Sequence, residues 1–61
     1  MAKRILVIED ETSIRRVIRA FLENEGYHVV SAADGLEGME LFREQQPDLV
    51  LLDLMLPKIS G

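Results

Sequence analysis

Two short apolar runs, Ile5-Leu6-Val7-Ile8 and Leu49-Val50-Leu51-Leu52, each end directly in carboxylates, Glu9-Asp10 after the first and Asp53 after the second. Neither run alternates apolar with polar residues. A half-solvated strand would alternate with period two, so continuous runs of this length fit strands covered on both faces, as in a parallel sheet with helical crossovers. If the two runs lie side by side, Glu9, Asp10 and Asp53 converge at one edge of the sheet. That edge lies outside the carboxyl ends of the strands, where open α/β sheets place their ligands.

Between the runs the period changes. Ile14, Val17, Ile18, Phe21 and Leu22 recur at i, i+3, i+4, i+7 and i+8, which predicts a helix from about Glu11 with this stripe turned inward. Arg15, Arg16, Arg19, Glu23 and Glu25 fall on its other sides and read as a solvated face. Gly26 supplies the C-terminal cap. Residues 27–32, rich in Val and flanked by Gly26 and Asp34-Gly35, predict a second strand at a sheet edge.

Asp34 is a good N-cap, and Glu37 three residues later makes a capping-box pair that opens a helix over about 35–46, with Leu36, Met39 and Phe42 facing inward. Met39, Phe42 and Phe21 are expected in the core. Gly38 inside this helix costs up to ~1 kcal/mol relative to Ala. Pro47 stops it, and residues 49–53 form the third strand, the most uniformly apolar and so the candidate for a central place. Right-handed crossovers then give a β-α-β-α-β chain of class α/β with strand order 2-1-3, setting the first and third strands adjacent.

Composition narrows the function. At 61 residues, folding buries only ~60% of the unfolded chain's surface, so the chain is one domain or part of one. Cysteine is absent, which removes disulfide and thiolate-metal staples and leaves the cytoplasm as the default location. With 11 acidic against 7 basic residues and a net charge of −4, this segment is not expected to bind nucleic acid by neutralising phosphates. The four-residue apolar run behind Met1-Ala2-Lys3-Arg4 meets Glu9-Asp10-Glu11, which ends a signal-peptide reading, and no run is long enough to span a bilayer.

Three carboxylates at one edge suggest a divalent cation. Mg²⁺ takes oxygen ligands at ~2.0–2.1 Å and needs only one or two carboxylates besides water and other oxygens, which Asp10 and Asp53 can supply. The competing reading makes strand-terminal acids simple caps. For Asp10, just ahead of Glu11-Thr12 at a helix start, that reading stays open. His28, the single histidine, has no metal-ligand partner in sequence and reads as a solvated strand residue.

The block Lys3-Arg4-Ile5-Leu6-Val7-Ile8-Glu9-Asp10-Glu11, with Leu51-Leu52-Asp53-Leu54-Met55-Leu56-Pro57 and Gly61, closely resembles response-regulator receiver domains of two-component signalling. The resemblance implies a flavodoxin-like doubly wound parallel sheet of which residues 1–61 are the N-terminal half, ending after the third strand and its loop. It implies that Asp53 accepts a phosphoryl group from a sensor histidine kinase. It further implies that Asp10 and Asp53 ligate Mg²⁺ directly, that Glu9 acts mainly through water, and that the backbone carbonyl of Met55 completes the protein's share. Such a chain is a signalling module and not an enzyme.

The same resemblance sets limits. The family's phosphate-binding lysine follows the fifth strand and its switch hydroxyl the fourth, so Lys58 does not match the first, and Thr12 and Ser13 read as helix-cap residues. The stretch Leu-Pro-Lys-Ile-Ser-Gly looks like the winged-helix transcription-factor subclass. A haloacid-dehalogenase signature would need a second Asp where Met55 stands, and fails there. With half a sheet, the third strand would leave an edge and an apolar face open, so self-association or pairing with a complementary half-domain is expected.

Overall fold

The computed structural model describes residues 2–52. Asp53, Met55, Lys58 and the loop expected after Pro57 lie outside the described residues. Five elements follow in order: β1 (Arg4–Ile8), α1 (Thr12–Asn24), β2 (His28–Ala32), α2 (Gly35–Gln45) and β3 (Leu49–Leu51). The strands are parallel in the order β2-β1-β3, the expected α/β arrangement. Ile5 pairs with Val29 on one side and Leu49 on the other, and Val7 with Ser31 and Leu51.

Alternation along each strand sorts these residues onto two faces. Ile5, Val7 and Val29 form a buried cluster under α1, joined by Ile18, Leu22 and Leu51. Leu6, fully buried, points to the α2 side; burying a side chain of this size contributes roughly 1.5–3 kcal/mol. There Gly38 is itself buried against β1: a Cβ on it would lie 2.9 Å from Ile8 Cγ1. Glycine in mid-helix therefore has a packing reason, close approach of α2 to the sheet.

Local chemistry sets the helix ends. At the end of α1, Gly26 adopts φ +98°, its N–H donates to the Glu23 carbonyl and the Tyr27 N–H to the Leu22 carbonyl, a Schellman motif. That use of the Tyr27 amide explains why β2 starts at His28 and not at residue 27. At the start of α2, Asp34 Oδ1 accepts the Glu37 N–H at 2.9 Å while Glu37 Oε1 accepts the Ala33 N–H at 3.0 Å, a reciprocal cap close to the expected one. Gln46 closes α2 in the left-handed region at φ 48°, its N–H donating to the Phe42 carbonyl.

Two expectations are corrected. The sheet-facing stripe of α1 is Ile14, Ile18 and Leu22, spaced by four, and Val17 (68% exposed) and Phe21 (62%) sit beside it in solvent. On α2 Gly38 lies against Ile8 and Ala32 and Leu41 is half-buried, while Leu36 is 74% exposed and Met39 and Phe42 turn toward the β3 side. There they line an apolar groove of about 260 Å³ with Leu6 and Val50. An amphipathic stripe marks which residues share a side, and the packed row within it is set by the strands the helix crosses.

The amino end of the sheet is stapled. The Asp48 N–H donates to the Arg4 carbonyl at 2.7 Å, and the Arg4 N–H donates to Asp48 Oδ2 at 2.8 Å. Arg4 Nη1 donates to the Gln45 carbonyl at 2.7 Å, placing a cation at the C-terminus of α2, where the helix dipole favours it.

Candidate functional site

The opposite, carboxyl end of β1 is built differently. Glu9 extends the ladder by one residue, its N–H donating to the Ala32 carbonyl at 3.1 Å. Its side chain is buried, 2% exposed, and folds back so that Oε2 accepts the Glu11 N–H at 3.0 Å. A buried carboxylate has a large desolvation cost unless hydrogen-bonded, and this amide supplies part of that bonding.

Asp10, next along the turn, is exposed and makes no side-chain hydrogen bond among the described residues. It does not cap α1. The N-cap is Glu11, in extended conformation and with no side-chain cap bond, and Thr12 is already helical. The capping reading of Asp10, and the expectation that Thr12 and Ser13 cap the helix, are both set aside. The Asp10 carboxylate is exposed to solvent.

Arg15 departs from its reading as a solvated residue. It is half-buried, Nη1 donating to the Glu9 carbonyl at 2.8 Å and Nη2 to Thr12 Oγ1 at 3.5 Å. Arg16 and Arg19 are exposed as expected, and Arg19 Nε pairs with Glu23 Oε2 at 3.1 Å. One signal could have separated Arg15 from its neighbours: it falls near the N-terminus of α1, where the dipole disfavours a cation.

Two of the three predicted carboxylates, Glu9 and Asp10, are therefore consecutive at the carboxyl edge. Among the described residues no group of three or more potential metal ligands forms; Asp53 lies outside them. In sequence Asp53 is two residues beyond Leu51, as Glu9 is two beyond Val7, the register partner of Leu51. Among the described residues at this edge the donors are an exposed carboxylate and main-chain carbonyls, oxygen donors of the kind Mg²⁺ takes. His28 is exposed at the first position of β2, at the other end of the sheet.

A family model for the response regulator receiver domain matches residues 5–61. Among curated proteins, a probable transcriptional regulator ycf27 of Porphyridium aerugineum is 52% identical over 97% of this chain and 25% of its own length. The alkaline phosphatase synthesis transcriptional regulatory protein PhoP of Bacillus subtilis is 46% identical over 100% of this chain and 25% of its own length. The transcriptional regulatory protein AfsQ1 of Streptomyces coelicolor is 47% identical over 93% of this chain and 25% of its own. The chain thus spans about a quarter of the length of these relatives. No helix among the described residues is long and apolar enough to cross a membrane.

Proposed function

Because the chain belongs to the response regulator receiver domain family, we propose that it carries the phosphoacceptor site of a two-component regulator, with Asp53 as the acceptor. The observation that carries this reading is the Glu9-Asp10 turn, one acid buried and hydrogen-bonded, the next open, at the carboxyl edge of the strand adjacent to the one that leads to Asp53. In the step proposed, a carboxylate oxygen of Asp53 attacks the phosphorus of a kinase phosphohistidine. The P–N bond breaks, its electron pair leaves with the imidazole, and an aspartyl phosphate forms.

Mg²⁺, when bound, offsets the repulsion between the attacking carboxylate and the phosphoryl oxygens. Asp10 and Asp53 would hold it directly, with the Met55 carbonyl, and Glu9 through water, since one Glu9 oxygen already serves the Glu11 amide. On this reading the chain is a cytoplasmic phosphoryl acceptor for a sensor histidine kinase and not a turnover enzyme. Control of transcription, named for the relatives, would act through another part of the full-length protein, as the net charge of −4 here repels phosphates.

The test is labelling of the full-length protein by a small acyl-phosphate donor. Labelling that needs Mg²⁺ and disappears in Asp53→Asn is expected; equal labelling of the variant, or none of the parent, overturns the assignment. A second reading, assembly through the open side of the sheet, has its own observation: Leu49, Leu52, Met39 and Phe42 are all more than half exposed on or beside the β3 side. Sedimentation equilibrium of the 61-residue chain is expected to show mass rising with concentration, and a folded monomer throughout removes it.

A further inference from the structure

Arg15 is the fourth helical residue of α1, in a helix whose first turn carries no acidic residue. A cation so near a helix N-terminus opposes the dipole, so its placement calls for a compensating interaction. The structure contains one. The planar guanidinium reaches back from the helix to the strand, Nη1 on the Glu9 carbonyl at 2.8 Å and Nη2 on Thr12 Oγ1 at the longer distance of 3.5 Å, and so bridges both ends of the turn that contains Asp10.

The main chain on either side of Asp10 is accordingly pinned. The Glu9 N–H is held by the Ala32 carbonyl, the Glu9 carbonyl by Arg15, and the Glu11 N–H by Glu9 Oε2. Asp10 has no side-chain bond among the described residues, and this backbone sets the point from which its side chain leaves the turn. We propose that Arg15 is a positioning residue of the acidic site: by holding the Glu9 carbonyl it fixes the turn that presents the Asp10 carboxylate to a divalent cation. The proposal rests on the phosphoacceptor reading of the same edge, and adds to it a cation that assists binding of another cation by geometry.

That opposition of charge makes the sign of the effect decisive. By electrostatics alone, removing a positive side chain near two carboxylates would tighten Mg²⁺ binding. Loss of an outer partner that orients a ligand weakens metal binding typically ~10–100-fold. Calorimetric titration of Mg²⁺ into the full-length protein, without phosphodonor, reads the difference. In Arg15→Ala the dissociation constant is expected to rise about 10-fold or more, with Arg15→Lys, which keeps a charged donor for the carbonyl, recovering much of the loss. Arg16→Ala, an equal charge change on the exposed side of α1, is expected to leave it unchanged or slightly lower.

Unchanged or tighter binding in Arg15→Ala overturns the proposal, as does equal weakening in Arg16→Ala or absence of Mg²⁺ binding in the parent. Failure of the phosphoacceptor reading looks different: Mg²⁺ binds and responds to Arg15, yet Asp53 is not labelled.

Discussion

The two ends of β1 carry comparable polar residues and use them in opposite ways. At the amino end Arg4 and Asp48 bond to each other's main chains, and Arg4 reaches the Gln45 carbonyl as well, so most of their hydrogen-bonding capacity is spent inside the fold. Among the described residues Arg4 Nε is buried without a hydrogen-bond partner. At the carboxyl end Glu9 is spent in the same manner on the Glu11 amide, yet the adjacent Asp10 is spent on nothing among the described residues. Polar groups that satisfy one another contribute stability; a carboxylate held in place by its neighbours and left open is the candidate for binding.

The largest expected effect of breaking that contrast is on stability, at the amino end. Arg4→Met keeps the aliphatic stem and removes the charged donor from the Gln45 carbonyl; a hydrogen bond with a charged partner contributes about 1.5–3 kcal/mol, and relief of the buried Nε returns part of it, so a loss of about 1–2 kcal/mol is expected. Asp48→Ala, at an exposed bond, should cost about 1 kcal/mol. Urea unfolding reads both, and calorimetry should find Mg²⁺ affinity unchanged. A changed affinity would mean that the two ends are coupled through β1.

Asp10→Asn sharpens the contrast from the other side. The side chain is exposed and unbonded among the described residues, so stability should move by no more than about 0.5 kcal/mol. Mg²⁺ affinity should fall at least about tenfold, equivalent to ~1.4 kcal/mol. A stability loss comparable to that of Arg4→Met would show Asp10 to be structural and would remove the basis for treating the ends as different.

The architecture was legible because period and punctuation agreed. β1 matched the strand expected around the apolar run of residues 5–8, the α2 cap followed from Asp34 and Glu37, and the 2-1-3 order agreed with the reading from right-handed crossovers. Side-chain placement within the helices was less legible, because Val17 and Phe21 lie within the same apolar stripe as Ile14 and Ile18, and only the path of α1 across β1 and β2 decides which row is packed. The candidate site residues Glu9 and Asp10 were visible as a pair but not as two different groups, since burial of one and exposure of the other depends on the direction of the turn. Arg15 was missed because its partner is a carbonyl, which sequence does not display.

The smallest effect concerns the same division from outside it. Gln46 holds φ 48° at the C-cap of α2, next to the Arg4 staple, and a non-glycine residue there carries a steric cost of roughly 1–2 kcal/mol that glycine avoids. Gln46→Gly also enlarges the conformational freedom of the unfolded chain, by up to about 1 kcal/mol, so the net gain should be a few tenths of a kcal/mol. If the gain in urea unfolding disappears when Arg4→Met is combined with it, the guanidinium and the left-handed cap stabilise one shared helix end. If the two changes add, the cap acts alone and the staple reaches no further than the Gln45 carbonyl.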